Sequence, residues 1–433
     1  MKITSIKGFA DVLPGEVELW QTIEATARRV FSAYHFAEIR IPILEKTELF
    51  SRSIGETSDI VEKEMYTFPE RYGDVSATAK PDVVRDSATV TLRPEGTAGV
   101  VRAYIEAEMF KTEPVRKLYY MGPMFRRERP QKGRMRQFHQ IGAEVLGRGD
   151  PVADVELLLL LHDFMRALEF TEPSLQLNSL GCAECRPSYR EKLLAFLQQR
   201  QERLCHNCRR RIERNPLRAL DCKEPGCIQA TQDAPSILDS LCSQCREHFA
   251  TVQRLLRATG VGFTLNSRMV RGLDYYCRTA FEWTTAKLGS QSAVAAGGRY
   301  DGLVQALGGP AIPGVGFAIG VERIAMLLKM QERPAFGELA IYVVWVGENA
   351  RDWAFPVVHQ LRQKGLAVEM EGDVRSLKSQ MRRADKLQAS SVLIIGDEEL
   401  NKGVAILRDM ASKQQEEVRL DNLVAVLAAQ RRS

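Results

Sequence analysis

The apolar residues near the start of the chain recur with the period of an amphipathic helix. They lie three and four positions apart, and they are Trp20, Ile23, Ala27, Val30, Phe31 and Tyr34. This spacing places them on one face of a helix. A β-like stretch over residues 38–44 follows, and it contains Pro42. Because proline cannot donate to a ladder, we expect this strand at an edge or an interface.

Short apolar runs then alternate with helical stretches as far as residue 330. The strand-like runs are residues 90–92, 117–121, 140–146, 279–284 and 314–319. The helical stretches are residues 98–110, 152–168 and 321–330. The connections are rich in turn residues, which favours an antiparallel α+β domain over regular βαβ winding.

The last part of the chain has a different pattern. Residues 331–338, with Pro334 and Gly337, are typical of a linker. Beyond them the β-like segments are 341–346, 366–370, 392–395 and 404–407, and the helical segments are 351–364, 374–387 and 419–429. This alternation predicts a small α/β domain with a mixed sheet over residues 339–433, separate from a larger domain over residues 1–330.

Length and composition agree with two folded domains. The chain has 433 residues and a mass of 48.7 kDa, more than one hydrophobic core usually supports. Apolar residues make up 45% and charged residues 27%, which excludes a wholly disordered chain. The start has no signal-peptide pattern, and the longest apolar runs are too short to span a bilayer. We therefore expect a soluble cytoplasmic protein with no membrane partner.

Charge is balanced overall but concentrated locally. The chain carries 60 Lys and Arg against 55 Asp and Glu, a net +5, which excludes a histone-like nucleic-acid binder. Residues 125–137 alone also reach +5, and further basic clusters lie at 200–218 and 375–386. Any single cluster is equally well explained as a solvated face with acidic partners elsewhere. Three separated clusters on a nearly neutral chain favour a polyanion that touches several places.

Eight of the nine cysteines lie in residues 181–262, a helical stretch that we expect to be an insertion. They form four pairs: Cys182 with Cys185, Cys205 with Cys208, Cys222 with Cys227, and Cys242 with Cys245. In a reducing compartment such spacings suit one or two tetrahedral zinc sites, with His206 or His248 as substitute ligands. The alternative is a set of buried thiols without metal. The preferred structural zinc ligands flank the second basic cluster: Cys205, Cys208, Cys222 and Cys227.

No nucleotide-binding glycine motif is present. No glycine is followed by lysine, which excludes a P-loop, and Gly314, Gly316 and Gly320 have the wrong spacing for a dinucleotide fingerprint. If a nucleotide binds, guanidinium groups must hold its phosphates. Arg126 and Arg323 are suited to this, because the planar guanidinium fork matches phosphate and carboxylate oxygens.

Six segments in order resemble the histidyl-tRNA synthetases, a family of class II aminoacyl-tRNA synthetases. They are residues 7–14, 38–68, 92–97, 122–144, 270–276 and 314–327, of which 38–68, 122–144 and 314–327 resemble the three class motifs. The similarity spans essentially the whole chain. It implies a catalytic domain built on an antiparallel sheet with the cysteine-rich region as a helical insertion, followed by an α/β anticodon-binding domain.

The resemblance also implies a reaction and its residues. The family activates L-histidine with ATP, expected together with Mg²⁺, and transfers the histidyl group to the 3′-terminal adenosine of tRNA(His). Arg126 and Arg271 would carry the catalytic positive charge between the carboxylate and the α-phosphate. The expected ATP-binding residues are Arg126, Glu128, Phe138 and Arg323. The expected histidine-binding residues are Glu95, Thr97 and Gln140 at the ammonium group, Glu144 and Tyr276 at the imidazole, and Tyr275 lining the pocket.

Further expectations follow from the same resemblance. The loop over residues 131–134 would read the extra guanosine at the 5′ end of tRNA(His), and residues 375–386 would contact the tRNA backbone. Residues 38–68 imply a homodimer. His139 lies between matched residues, and we expect a structural role for it.

Two other functions have to be weighed. One is a synthetase-like regulatory subunit of ATP phosphoribosyltransferase, which typically lacks the anticodon-binding domain and the arginines that contact ATP. This chain keeps Arg126, Arg271 and Arg323 and continues beyond residue 338. The other is a non-catalytic RNA-binding module, which would leave the histidine-pocket residues without a purpose.

Overall fold

The computed structural model describes residues 3–55, 58, 60–69, 89–131, 133–170, 174–291, 293–330, 339–373 and 375–430. The chain divides into two compact units, one of Met1–Leu13 and Leu19–Arg333, the other of Pro14–Glu18 and Pro334–Ser433. The predicted linker at 331–338 lies outside the described residues, so the exact domain limits stay a prediction.

Sixteen strands and fifteen α-helices form the described part of the chain. The strands are β1 Ala37–Glu38, β2 Leu44–Lys46, β3 Tyr66–Pro69, β4 Thr89–Leu92, β5 Arg116–Phe125, β6 Gln137–Leu146, β7 Ser174–Ser179, β8 Phe263–Leu265, β9 Cys277–Thr284, β10 Ala293–Arg299, β11 Gly314–Gly320, β12 Ile341–Val346, β13 Val368–Met370, β14 Ser391–Gly396, β15 Val404–Asp409 and β16 Gln415–Arg419. The helices are α1 Val17–Ala33, α2 Thr47–Ile54, α3 Thr97–Glu106, α4 Met109–Thr112, α5 Pro151–Ala167, α6 Cys185–Gln198, α7 His206–Arg211, α8 Pro225–Ala230, α9 Ser243–Ala258, α10 Leu303–Ala306, α11 Val321–Lys329, α12 Glu348–Gln363, α13 Leu377–Lys386, α14 Asp397–Lys402 and α15 Leu423–Gln430.

An eight-stranded sheet organises the first unit. Its order is β1-β5-β6-β11-β10-β9-β7-β8. Every neighbouring pair is antiparallel except the two edge pairs, β1 with β5 and β7 with β8. The predicted antiparallel α+β class is therefore confirmed. The long β5–β6 ladder runs from Arg116 opposite Leu146 to Phe125 opposite Gln137.

One face of this sheet is covered by α1 and α5, which form its main hydrophobic core. The predicted α1 stripe is buried, with Ile23, Ala27 and Phe31 at 0% exposure. α5 is apolar almost all round, as expected of a helix buried in a core. Asp150 starts it by accepting hydrogen bonds from the amides of Val152 and Ala153, a cap that contributes about 1 kcal/mol.

A buried ion pair ties this core together. Arg299 on β10 and Asp154 on α5 are both fully buried, and Arg299 Nε lies 3.2 Å from both carboxylate oxygens. His248 on α9 places Nε2 3.4 Å from the same carboxylate. The alternative that His248 replaces a cysteine as a metal ligand is therefore wrong in this structure, because its ring faces Asp154.

The strand predicted over 38–44 is wrong as a single element. β1 pairs with β5, whereas β2 belongs to a separate three-stranded sheet of order β2-β4-β3. The carbonyls between them are satisfied by Arg93, whose Nη1 donates to Ile41 O at 2.7 Å and to Pro42 O at 3.3 Å. A buried guanidinium thus replaces the ladder that Pro42 interrupts.

Two further differences have local causes. The helix predicted over 98–110 is divided into α3 and α4 at Glu108, which has a left-handed φ of 50°. Strand β10 was not predicted, since its Ala- and Gly-rich sequence contains Val294 as its single β-branched residue.

The second unit is a small α/β fold, as predicted. Its five strands have the order β13-β12-β14-β15-β16, with parallel pairs around β12 and antiparallel pairs from β14 to β16. The helix predicted over 419–429 is wrong at its start, because Arg419 still pairs with Val404 in the sheet. Among the described residues of both units, no helix is long and apolar enough to cross a membrane.

Candidate functional site

A cavity of about 690 Å³ opens beside the centre of the eight-stranded sheet. It is lined by residues of β6, β10 and β11, the start of α3, the segment after β5 and the segment before β9. Ten of the eleven residues predicted for histidine and ATP line it: Glu95, Thr97, Arg126, Glu128, Phe138, Gln140, Arg271, Tyr275, Tyr276 and Arg323. The eleventh, Glu144, lies outside the lining.

Glu95 is held by the start of α3. Its two carboxylate oxygens accept hydrogen bonds from the amides of Thr97, at 2.7 Å, and Ala98, at 2.9 Å. These amides have no partner within the helix, and the positive end of the helix dipole favours an anion there. Burial raises the pKa of Glu95, while the two amide bonds and the charge of Arg126 oppose that rise. The start of α3 therefore holds a buried acid at the cavity wall.

Glu144 lies behind Thr97. Its carboxyl oxygens contact the hydroxyl of Thr97, at 2.7 Å, and the hydroxyl of Tyr300. Burial raises its pKa to about 8, so the group is mostly protonated at neutral pH. Gly316 makes room for it, since a Cβ there would overlap a carboxyl oxygen of Glu144. Direct binding of an imidazole by Glu144 would require one of the two hydroxyls to give way.

Arg126 enters the cavity directly after β5. Its Nε donates to the carbonyl oxygen of Pro94 at 2.9 Å, and its guanidinium carbon lies 5.1 Å from the centre of the Phe138 ring. Burial lowers its pKa, and the acidic groups Glu64 and Glu95 oppose this effect. An arginine remains protonated at neutral pH, so Arg126 brings a fixed positive charge to the cavity.

Arg271 faces the cavity from the segment before β9. Its Nη1 donates to Glu282 at 2.5 Å, and its guanidinium carbon lies 5.5 Å from the Tyr276 ring centre. Asp274, which is close to Arg271 in sequence, instead lies 3.6 Å from Arg218. Arg271 is thus positioned by a residue of β9, which lies outside the segment that contains the arginine.

Arg323 and Glu128 each contact a different residue of the loop between β5 and β6. Arg323 Nε donates to the carbonyl of Gly133 at 3.3 Å, and another of its nitrogens donates to Ala293. Glu128 is buried and forms an ion pair with Arg134. Backbone bonds between Gln131 and Arg134 close the loop. The loop and the predicted ATP-binding residues therefore form one connected structure.

Apart from Glu128 Oε2, which is in an ion pair with Arg134, three buried polar atoms of cavity-lining residues have no hydrogen-bond partner among the described residues. They are Oε1 of Gln140, the hydroxyl oxygen of Tyr275 and Nε of Arg271. A buried acceptor or donor without a partner costs about 1–3 kcal/mol, which a bound polar ligand removes. All three atoms belong to residues predicted to contact the reactants, so the cavity is suited to bind a polar molecule.

Several residues of this site were not identified from the sequence. Glu282 pairs with Arg271, Tyr300 contacts Glu144, and Asp221 and Lys223 line the cavity from the cysteine-rich region. Only Tyr300, in the Gly-Gly-Arg-Tyr-Asp run at 297–301, carried a recognisable local signal. His139 bonds to Glu322 at 3.1 Å and packs its ring edge-on against Trp20, and it does not line the cavity.

The cysteine-rich region folds as a helical insertion with two separate clusters of four sulfur atoms. One contains Cys182, Cys185, Cys242 and Cys245, and the other contains Cys205, Cys208, Cys222 and Cys227. Within each cluster all sulfur atoms lie within 4.8 Å of one another. No disulfide is present among the nine cysteines. Each set of four thiols is therefore arranged as a group that could hold a metal ion.

The fold and the site together define a class of protein. An antiparallel sheet with buried arginines and acids at its centre, built from segments that resemble the three class motifs, is the catalytic domain of a class II aminoacyl-tRNA synthetase. A sequence profile described as histidyl-tRNA synthetase matches residues 74–324, and one described as an anticodon binding domain matches residues 340–430.

Known relatives narrow this class to one family. The chain is 58% identical over 418 residues to a histidine–tRNA ligase of Geobacter sulfurreducens, covering 96% of this chain and 97% of that one. It is 56% identical to one of Trichlorobacter lovleyi, covering 99% and 98%. The apo histidyl-tRNA synthetase structure from S. aureus is 32% identical with a TM-score of 0.80, covering 99% of this chain and 100% of that one. The chain belongs to the histidyl-tRNA synthetase family.

A more distant structure shares the fold alone. It comes from Bacillus halodurans and is described as an ATP phosphoribosyltransferase regulatory subunit/histidyl-tRNA synthetase. Its identity to this chain is 17% and its TM-score is 0.64, with 92% of this chain and 99% of that one covered.

Replacing Glu144 by glutamine should flatten the pH dependence of stability. The pKa of this carboxyl rises from an ordinary 4.5 to about 8 in the folded chain. Between these values the folded chain keeps a proton that the unfolded chain releases, so folding becomes less favourable as the pH rises through this window. A glutamine can still bond to Thr97 and Tyr300 but does not ionise. We expect the difference in free energy of unfolding, Glu144→Gln minus the unaltered protein, to be more favourable to the variant at pH 8 than at pH 5. Urea unfolding at the two pH values measures this difference.

Glu191→Gln, on the exposed side of α6, is the matched control and should keep the slope of the unaltered protein. A Glu144→Gln variant with that same slope would contradict the buried, protonated state of Glu144.

Proposed function

We propose that this chain is a histidine–tRNA ligase. It activates L-histidine with ATP to form histidyl-adenylate and diphosphate, and it then transfers the histidyl group to the 3′-terminal adenosine of tRNA(His), releasing AMP. The observation that carries this proposal is the convergence of Arg126, Arg271 and the amide-bound Glu95 on one cavity. The family's relatives support the same reaction.

The arginines answer the main electrostatic difficulty of activation. The histidine carboxylate and the ATP α-phosphate are both anions, and they repel each other as they approach. Arg126 and Arg271 hold positive charge in a buried cavity, where screening by water is weak. Because the two charges are already in place, little reorganisation is needed when negative charge builds up in the transition state.

Each arginine can reach a reactant without leaving a buried charge unpaired. Arg126 is anchored by its Nε to the carbonyl oxygen of Pro94, and its Nη1 lies 3.8 Å from a carboxylate oxygen of Glu128, beyond hydrogen-bond distance, so an oxygen atom of a reactant can still approach its terminal nitrogens. Arg271 shares one nitrogen with Glu282 and has an unbonded Nε. Mg²⁺ bound together with ATP would neutralise phosphate charge, and the cavity-lining carboxylates of Glu282 and Glu322 would be suitable oxygen ligands for it.

Histidine selection follows from the polar groups beside these arginines. Glu95, Thr97 and Gln140 would receive the ammonium group, while Tyr275 and Tyr276 line the side-chain pocket and Glu144 supports it through Thr97. Such a site rejects an amino acid that leaves its buried polar groups unpaired, by factors that reach about 10⁴–10⁵. The rival regulatory-subunit function needs neither Arg126 nor Arg271, and both lie in the cavity of this chain.

Replacing Arg271 by alanine should abolish most of the activation step. Loss of one fixed charge at a developing anion lowers the rate by about 10²–10³-fold. We expect that loss in histidine-dependent ATP–diphosphate exchange, measured on the purified chain. Arg254→Ala, on the exposed side of α9, is the control and should exchange at the unaltered rate. An Arg271→Ala variant as active as this control would refute the electrophilic role.

Two basic surfaces would bind tRNA(His). The loop closed by Gln131 and Arg134 lies at the mouth of the ATP site and would meet the acceptor end with its extra guanosine. In the second unit, α13 exposes its basic residues because Gln380 and Ala384 form its buried side. The exposed set on α13 is Lys378, Arg382, Arg383 and Lys386, and Arg375 is exposed just before the helix.

Reversing charge on α13 should weaken tRNA binding without affecting activation. Removing one ion pair between a basic side chain and a phosphate reduces the slope of log affinity against log salt by roughly 0.7–0.9. For Arg382→Glu with Lys386→Glu we expect a higher KM for tRNA(His), a shallower salt dependence, and unaltered ATP–diphosphate exchange. Lys402→Glu, exposed on α14, is the control. Unaltered tRNA affinity in the double variant would exclude this surface.

Cys205, Cys208, Cys222 and Cys227, hereafter the tip cluster, would hold a structural zinc ion. The Sγ atoms of Cys205 and Cys222 lie 3.9 Å apart. Four thiolates at a Zn–S distance of about 2.3 Å define a tetrahedron with edges of about 3.8 Å. The amide of Cys205 also donates to the Cys227 sulfur at 3.1 Å, a contact that supports a negatively charged ligand.

The tip cluster should account for one zinc ion per chain. We expect elemental analysis of untagged protein to find zinc, and Cys208→Ser with Cys227→Ser to remove one equivalent. Cys277→Ser is the control, because Cys277 belongs to neither cluster. Zinc-free protein would refute the metal assignment.

We further propose a cytoplasmic homodimer, which sedimentation of the purified chain would test.

A further inference from the structure

We infer that Cys182, Cys185, Cys242 and Cys245, hereafter the neck cluster, form a second structural zinc site, and that this site positions the histidine-binding segment 271–276. The metal site is independent of the proposed ligase function. The positioning role rests on that function, because histidine is the ligand whose binding it would affect.

The sulfur geometry fits one tetrahedral ion. The Sγ atoms of Cys182 and Cys185 lie 3.6 Å apart, and those of Cys182 and Cys242 lie 3.9 Å apart. Both distances are close to the edge of about 3.8 Å expected around zinc. They are far longer than the bond of about 2.05 Å in a disulfide. The four sulfurs therefore surround a common centre and are not paired with one another.

Backbone contacts support the same assignment. The amide of Cys242 donates to the Cys185 sulfur at 3.1 Å. Cys185 and Cys245 are buried, whereas Cys182 and Cys242 are partly exposed. The tip cluster has the same alternation and an equivalent amide bond from Cys205 to Cys227. Two clusters built by the same rule point to the same ligand chemistry.

The neck cluster joins the two ends of the insertion. Cys182 and Cys185 lie at the start of α6, and Cys242 and Cys245 lie at the start of α9. Cys182 and Cys242 are 60 positions apart in sequence. A cross-link that closes a loop of this length removes much of the freedom of the unfolded chain. Metal bound here would fix where the insertion leaves and rejoins the catalytic unit.

The cluster is connected directly to the histidine segment. Arg186, the residue after Cys185, donates to the carbonyl oxygens of Tyr276 and Leu180. Next to it, Leu180 donates to the Arg278 carbonyl at 2.6 Å, and Arg278 donates back to Gly181 at 2.8 Å. Tyr276 is thus bracketed by bonds from the segment 180–186.

The turn at Gly181 brings that segment against the cluster. Its φ is +64°, a conformation that favours glycine, and a Cβ there would lie 2.7 Å from Cys185 Cβ. The backbone therefore has little room to shift without moving Cys185. A metal ion that fixes Cys185 would also fix Arg186 and, through it, the Tyr276 carbonyl at the cavity wall.

Metal stoichiometry tests the site itself. We expect two zinc equivalents in untagged protein, one in Cys182→Ser with Cys242→Ser, and one in the tip-cluster variant Cys208→Ser with Cys227→Ser. Cobalt loading should give the thiolate-to-cobalt charge-transfer band at two sites in the unaltered chain and at one in each variant. A single zinc that only the tip-cluster variant loses would overturn the inference, as would iron in place of zinc. Since cobalt titration uses the unaltered chain, a neck variant that fails to fold leaves the inference falsifiable.

Arg186→Ala tests the positioning role with the ligands intact. We expect it to keep two zinc equivalents and to raise the KM for histidine in ATP–diphosphate exchange about tenfold or more, with the KM for ATP unaltered, because a displacement near 1 Å can cost up to about 10²-fold. Arg246→Ala is the matched control: Arg246 follows Cys245, and its guanidinium donates to the carbonyl of Leu241 within the insertion.

The outcomes separate the two proposals. An unaltered KM for histidine in Arg186→Ala, or an equal rise in Arg246→Ala, would overturn the positioning role. Exchange absent from the unaltered protein would instead refute the ligase function, and the zinc stoichiometry would still decide the neck site.

Discussion

The site depends on a buried carboxylate held at the start of a helix. Glu95 accepts from the first two amides of α3, so the negative charge and the helix dipole stabilise each other inside the catalytic unit. Thr97 follows at once and extends this contact to Glu144 beneath the cavity wall. The charge of Glu95 also opposes the lowering of the Arg126 pKa by burial, and Arg126 donates to the carbonyl oxygen of Pro94, the residue just before Glu95. The start of this helix therefore positions an acid and a hydroxyl, and a guanidinium is bonded to the residue that leads into it.

The guanidinium groups of Arg271 and Arg323 are each held by a partner from another element. Arg271 comes from the segment before β9, and its partner Glu282 lies on β9 itself. Arg323 comes from α11 and bonds to the loop between β5 and β6. Because each guanidinium is held by a neighbour from another part of the chain, the cavity keeps its shape before the reactants arrive. That preorganisation is what a reaction between two anions requires.

The insertion has a small hydrophobic core of its own. Between α6 and α9 its α-helices have only six residues each, and its buried residues include four cysteines as well as larger side chains such as Tyr189, Leu193 and Leu197. Small cores of this size usually need an additional cross-link. Both cysteine clusters join segments distant in sequence, and Asp221 and Lys223 bring the same region to the cavity wall. The insertion is therefore part of the structure around the site as well as an addition to the fold.

Sequence alone determined the antiparallel catalytic unit, the mixed sheet of the second unit, the buried stripe of α1 and ten of the eleven residues predicted for the cavity. These features follow from local periodicity or from contiguous motifs, so they can be read without knowledge of distant neighbours. Tertiary structure decided the partners: Glu282 for Arg271, Asp154 for His248, Arg93 for the interrupted strand at Pro42, and Thr97 with Tyr300 for Glu144. The set Cys205, Cys208, Cys222 and Cys227 was already named from the sequence, whereas tertiary structure decided that Cys182 and Cys185 meet Cys242 and Cys245. Such pairings depend on desolvation and distance between remote segments, and the order of residues along the chain records neither.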